Sequence, residues 1–221
     1  MLTPTTLYPA DPFALLRRVS EALDRATFGT AAPVFPALNV WQNGEAVAVV
    51  AADFGVGWGT VMRAVAEHGT MFDPSAVFYM DKLVVGPEAA DFVDMRLPVK
   101  QNVNLVAKAL DKPVSQVTVC VLDRPRHEGL VKEIRQAGAR VKFILDGDVA
   151  GAIAAARPDT GVDMMMGIGG TPEGIVTACA IKATGGVIQG RLAPTDETEK
   201  QKALDAGLDL DAVLSTNDLV T

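Results

Sequence analysis

Val162-Asp163-Met164-Met165-Met166-Gly167-Ile168-Gly169-Gly170-Thr171-Pro172-Glu173-Gly174-Ile175 is the stretch whose reading decides the fold. A largely apolar run, 162 to 166, meets a glycine-rich segment and then a helix-like run from Ile175 to Ala183. Read as strand, turn and helix, it leaves backbone N–H groups free at a helix N-terminus, which suits an anion, most often a phosphate. Pro172 fits a first helical turn, and Glu173 places a carboxylate where a cation could be held. An ordinary tight turn, with Glu173 favouring the helix dipole, fits these residues equally well.

The same alternation extends upstream. Val117–Leu122, Val141–Leu145 and Val162–Met166 read as strands, and Glu128–Gln136, Val149–Ala156 and Ile175–Ala183 as helices, with Val187-Ile188 opening a last strand. Strands alternating with helices predict an α/β fold whose sheet is mainly parallel over residues 116–192 and covered on both faces. Before it, Ala76–Met80 and Lys82–Val85 read as two short strands around Asp81, and Asn102–Leu110 as a helix. Asp11-Pro12 opens a helix that Gly29 closes, and Thr60–His68 is a short helix. Leu38–Gln42 and Glu45–Ala51 flank Asn43-Gly44, the signature of a two-residue hairpin turn. Thr195–Asp211 is charged and helix-like.

Composition narrows the function. The 221 residues are 49% hydrophobic, and a net charge of −7 without a long basic run argues against nucleic acid or an anionic membrane as main partner. No run is long and apolar enough to span a bilayer, and no signal peptide is evident. Cys120 and Cys179 sit in apolar runs without metal-ligand spacing, so free buried thiols and a cytoplasmic location are expected.

In open α/β sheets, ligands bind beyond the carboxyl ends of the strands. The residues there are Asp123-Arg124-Pro125-Arg126-His127, Asp146-Gly147-Asp148, and Gly167 through Glu173. Singly, the arginines read as surface ion-pair partners, Asp148 as an N-cap and His127 as a capping or packing residue. Together they suit a phosphorylated, hydroxyl-rich ligand: guanidinium groups grip phosphate, carboxylates accept from sugar hydroxyls, and Glu173 offers oxygen to a hard divalent cation.

Met71–Ala76, Tyr79–Pro87, Arg124-Pro125-Arg126-His127, Asp146–Ala150, Gly167–Gly174, Gly190-Arg191-Leu192 and Thr216-Asn217-Asp218 closely resemble the class II fructose-1,6-bisphosphatases. The resemblance runs from about Gly59 to Thr221, so domains of 1–58 and 59–221 are expected, the second truncated at both ends relative to the family. It implies a layered α-β-α sugar-phosphatase fold, of the inositol-monophosphatase and fructose-bisphosphatase kind, incomplete here. It also implies a hydrolase of carbohydrate metabolism and gluconeogenesis, splitting fructose 1,6-bisphosphate, with sedoheptulose 1,7-bisphosphate as a second candidate substrate, and using Mn2+ or Mg2+. Tyr79, Arg124, Pro125, Arg126, Asp146, Gly147, Asp148 and Gly170 match substrate-binding positions, and Glu173 a metal ligand. The family's other ligands lie in an upstream acidic helix, a Gly-Glu-Gly-Glu segment and an Asp-Pro-x-Glu-Gly-Thr motif, none of which occurs here. Weak turnover or none is therefore expected, and no catalytic residue beyond the binding set is assigned. Residues 1–51 resemble the entry segment of a small heat-shock protein, which raises the alternative of a non-catalytic sugar-phosphate-binding or interaction protein. The expected partners are a sugar bisphosphate and further copies of the chain.

Overall fold

The computed structural model describes residues 72–221, together with the backbone of two strands at 39–42 and 47–50. All of these belong to one compact unit, Pro36–Thr221. The helices expected at Asp11–Gly29 and Thr60–His68 lie outside the described residues. Strands β1 (Asn39–Gln42) and β2 (Val47–Val50) form the expected antiparallel hairpin. Gln42 pairs with Val47, and the turn expected at Asn43-Gly44 lies outside the described residues.

The main sheet has five strands: β3 (Tyr79–Val85), β4 (Thr118–Leu122), β5 (Arg140–Ile144), β6 (Met164–Gly170) and β7 (Val187–Leu192). Their spatial order is β5-β4-β6-β3-β7. β4 runs parallel to β5 and β6, whereas β3 is antiparallel to both its neighbours, β6 and β7. The four strands after residue 116 thus share one direction, as the alternation predicts, with one antiparallel strand wedged among them. That strand is continuous. Asp81 does not divide it, because Asp81 and Lys82 face opposite sides of the sheet and both fit the pleat.

Helices cover both faces. α1 (Val99–Ala109) and α2 (Glu128–Ala137) pack Val103, Val106, Val131 and Ile134 against Leu83, Val85, Val119, Val121 and Met164. On the opposite face α3 (Asp148–Ala155) and α4 (Thr171–Thr184) bury Ile153, Ile175, Val176 and Ile181 with Met80, Val84, Cys120, Met165 and Ile188. α5 (Glu197–Asp205) and the short α6 (Thr216–Leu219) close this side through Ala203 and Leu219. The result is a layered α-β-α sandwich. α2 leaves β4 on one face and α3 leaves β5 on the other, so β4 and β6 flank a topological switch point, the usual place for a ligand.

Two boundaries differ from the sequence reading, for one reason. β6 does not stop at Met166 but continues through Gly170, and α4 starts at once with Thr171 rather than at Ile175. The glycines are strand residues pairing with Tyr79–Lys82 of β3, not a loop. At the other end of β3, Gly186 leads into β7 where a Cβ would lie 2.6 Å from the Val85 carbonyl oxygen. Backbone cannot step aside there as a side chain can. Gly186→Ala is therefore expected to cost about 2 kcal/mol or more, read as a lower urea midpoint at unchanged slope. An unmoved midpoint would show that β7 shifts freely.

Candidate functional site

The carboxyl ends of β4, β5 and β6 and the amino end of β3 meet at one rim, and there the glycines of β6 make room for other residues' side chains. At Gly167, with φ +132°, a Cβ would sit 3.0 Å from His127 Nε2. At Gly169 it would collide with Asp148 Oδ2, and at Gly170 with Glu173 Oε2. From α4, Gly174 leaves space for Lys82, whose Cε lies 3.2 Å from the position of its absent Cβ. Three strand residues and one helix residue thus lack side chains where a histidine, two carboxylates and a lysine are packed.

His127 is buried and fully engaged. Its Nδ1 lies 2.8 Å from the Leu122 carbonyl oxygen, and its Nε2 lies 2.8 Å from the Ile168 N–H nitrogen. A carbonyl needs a donor and an N–H needs an acceptor, so the ring is neutral with its proton on Nδ1. The packing reading of His127 holds: it ties the end of β4 to β6. Arg126 donates from Nε and Nη2 to the Ile168 carbonyl at 3.1 and 2.8 Å and lies over the Tyr79 ring, 5.1 Å from its centroid. Tyr79 itself pairs with Gly170. Among the described residues, Arg126 is thus oriented by backbone and by an aromatic face rather than by an ion pair. Pro125 opens the short 3-10 turn, 125–127, that carries both groups.

Gly147, at φ +80°, is the N-cap of α3. Asp148 is the first helical residue rather than the cap, and its side chain is spent elsewhere. Lys82 Nζ donates to Asp148 Oδ2 at 2.7 Å, with side chains only 1% and 9% exposed. Asp146 accepts from the Gly147 N–H at 2.8 Å. The helix N-terminus expected to cradle an anion is also partly occupied, since the Thr171 N–H bonds the Phe78 carbonyl at 2.8 Å. Arg124 borders this group from the side: with Asp123, His127, Lys132, Arg135 and Phe143 it lines a hollow of about 490 Å³ between α2 and β5, and His127 is shared between that hollow and the glycine edge.

Lys82 escaped the sequence reading, although a signal for it was present. Met80, Lys82 and Val84 share one face of an interior strand, and a lysine at a core position there has a reason to be charged. It faces several carboxylates. Burial is the chief influence on Glu173 and pushes its carboxyl upward, opposed by Lys82 and reinforced by Asp148 and Asp146. Burial likewise raises Asp81, against the pull of Arg191 at 3.5 Å.

Thr171 Oγ1 and Glu173 Oε2 are buried without a hydrogen-bond partner among the described residues. An unpartnered carboxylate oxygen suits a hard divalent cation. Among the described residues, however, no group of three or more His, Cys, Asp or Glu side chains could hold a metal ion. Glu173 therefore fits one ligand position, and the described residues do not complete a site.

The raised carboxyl of Glu173 has a consequence for stability. Its ordinary value is 4.5 and its folded value is higher, so the unfolded chain releases this proton first. Stability falls as pH rises from 4.5 through the folded value, and the penalty is complete above it. Glu173→Gln is expected to stabilise the protein at pH 8, on the order of 1 kcal/mol, with no difference below about pH 4. Thermal melts across this range give the answer; equal melting of both forms at pH 8 would show that the carboxylate is already compensated.

Comparison with known proteins bears on this arrangement. The model of a family described as bacterial fructose-1,6-bisphosphatase, glpX-encoded, matches residues 45–221. The class 2 fructose-1,6-bisphosphatase of Haemophilus influenzae is 43% identical over 155 residues, 64% of this chain and 46% of that protein. Fructose-1,6-bisphosphatase 1 class 2 of Escherichia coli is 49% identical over 129 residues, 58% of this chain and 38% of its own. A protein of Acaryochloris marina named D-fructose 1,6-bisphosphatase class 2/sedoheptulose 1,7-bisphosphatase 1 is 42% identical over 139 residues, 63% and 40% of the two chains. The chain spans less than half the length of each of these relatives. The family match begins upstream of Gly59 and takes in β2, part of the segment that resembles a small heat-shock protein. Because the match covers most of the sequence and every element of the main sheet, the chain belongs to the family of bacterial fructose-1,6-bisphosphatases.

Proposed function

We propose that this chain binds fructose 1,6-bisphosphate at the carboxyl rim of its sheet and carries part of the machinery that releases fructose 6-phosphate and inorganic phosphate. Sedoheptulose 1,7-bisphosphate is a second candidate, consistent with the name of the Acaryochloris relative. One observation carries the reading: Tyr79 of β3, Arg126 of the 125–127 turn, Asp146 before α3, Asp148 of α3, Gly170 of β6 and Glu173 of α4 converge where β6 is stripped of side chains. In this reading Arg124 and Arg126 take a phosphate, with Tyr79 holding the Arg126 plane. Asp146, Gly147 and Asp148 present acceptors and a bare backbone to sugar hydroxyls. Gly170 lets the ligand approach the strand closely, and Glu173 holds one oxygen toward a divalent cation, Mn2+ or Mg2+.

One carboxylate does not hold such an ion with useful affinity. The described residues accordingly bind and orient the sugar bisphosphate, and hydrolysis draws on donors beyond them. The same shortage favours the second reading, a sugar-phosphate-binding protein without turnover. No described helix is long and apolar enough to cross a membrane. Both cysteines are buried free thiols, with Cys179 pushed up to about 11 by burial, which supports a reducing, cytoplasmic setting.

The 221-residue chain is expected to bind fructose 1,6-bisphosphate in a calorimetric titration. With Mn2+ it should release phosphate about a hundredfold or more slowly than a full-length relative. Absence of binding would refute the site. Rapid turnover abolished by Glu173→Ala would show instead that this chain completes the metal centre.

A further inference from the structure

Among the described residues, Lys82 is the one buried cation at the rim to which neither the sequence motifs nor the proposed mechanism gives a task, and the fold is shaped around it. It occupies a core-facing position of an interior strand between Met80 and Val84 and is 2% exposed. Its ammonium bonds one oxygen of Asp148, Oδ2, at 2.7 Å. Two glycines from different elements make its berth: a Cβ at Gly169 would lie 3.1 Å from Nζ, and one at Gly174 would lie 3.2 Å from Cε. A buried lysine–carboxylate pair is seldom worth its desolvation for stability alone. We propose that Lys82 is a positioning residue: by gripping Oδ2 it fixes the Asp148 carboxylate so that Oδ1 is held in place as the acceptor for a sugar hydroxyl. Lys82 thereby governs discrimination for a hydroxyl-bearing bisphosphate over a bare one, while the arginines supply affinity for phosphate. This deepens the reading of a sugar-bisphosphate site and rests on it.

Two ligands separate the two ideas: fructose 1,6-bisphosphate, and hexane-1,6-diol bisphosphate, which carries two phosphates but no sugar hydroxyls. Calorimetry on the full chain should show tighter binding of the sugar. In Lys82→Met the sugar's affinity should fall at least tenfold while that of the diol bisphosphate stays within about twofold, a pattern that loss of folding cannot produce. If the unaltered chain binds neither ligand, the sugar-bisphosphate reading itself fails. If it prefers the sugar and Lys82→Met prefers it equally, Lys82 has no such role. Should Lys82→Met fail to fold, the 15N resonance of the Lys82 ammonium in the unaltered protein decides. It should shift on saturation with the sugar and stay in place with the diol bisphosphate; equal behaviour with both would overturn the proposal.

Discussion

The last residues of β6 are an interior strand's hydrogen-bonding edge without the side chains that an interior strand normally carries. That combination constrains everything around it. Backbone pairing with β3 holds Gly167, Gly169 and Gly170 in place, so the vacated volume has a fixed shape. It is filled by His127 from the turn after β4, by Asp148 from the start of α3 and by Glu173 from the start of α4. Any side chain added along this edge displaces a functional group of another element. The glycines thus serve close approach more than turning, and only Gly167 of the three takes a positive φ.

The rest of the sheet serves this edge. β3 enters antiparallel and brings Tyr79 and Lys82 to the same end of the sheet as the parallel strands bring their loops. Two opposed apolar clusters then clamp the sheet, one under α1 and α2 and the other under α3 and α4. The tail adds a last fastening: Leu214 bridges to Gly190 on the outer edge of β7, and Ser215 and Asp218 form a capping box that starts α6. Each hydrogen bond to Asp218 holds its carboxyl below the usual range. Rigid support of this kind permits unfavourable local features at the rim, such as a buried carboxylate oxygen without a partner among the described residues.

Much of this organisation was legible in the sequence because a period of two and a period of 3.6 cannot be confused over runs such as 117–122 and 128–137. The strand ends, and with them Arg126, Asp148 and Glu173, followed from that alternation. The glycine segment was misread as a turn for a physical reason. Glycine signals a turn only when nothing packs into the space it leaves, and apart from Glu173 the partners that fill this space come from residues 82, 127 and 148, distant in sequence. Taken singly, Asp148 reads as a cap on the same account, since its partner Lys82 lies 66 positions away. Asp81 appeared to break a strand because a polar pair looks like a boundary locally, whereas a strand interior tolerates one when each side chain meets an opposite charge. Asp81 meets Arg191, and Lys82 meets Asp148.

The central claim is that the glycine-stripped end of β6 gathers a sugar-bisphosphate site whose metal ligands are only partly supplied by the described residues. A crystal structure of the chain soaked with fructose 1,6-bisphosphate and Mn2+ tests it most directly. Sugar hydroxyls against the Asp146–Asp148 loop, a phosphate at Arg126, and Glu173 within about 2.0–2.6 Å of a metal only where residues before 72 also reach it would bear it out. A bisphosphate seated instead in the hollow between α2 and Phe143, with the glycine edge untouched, would contradict it.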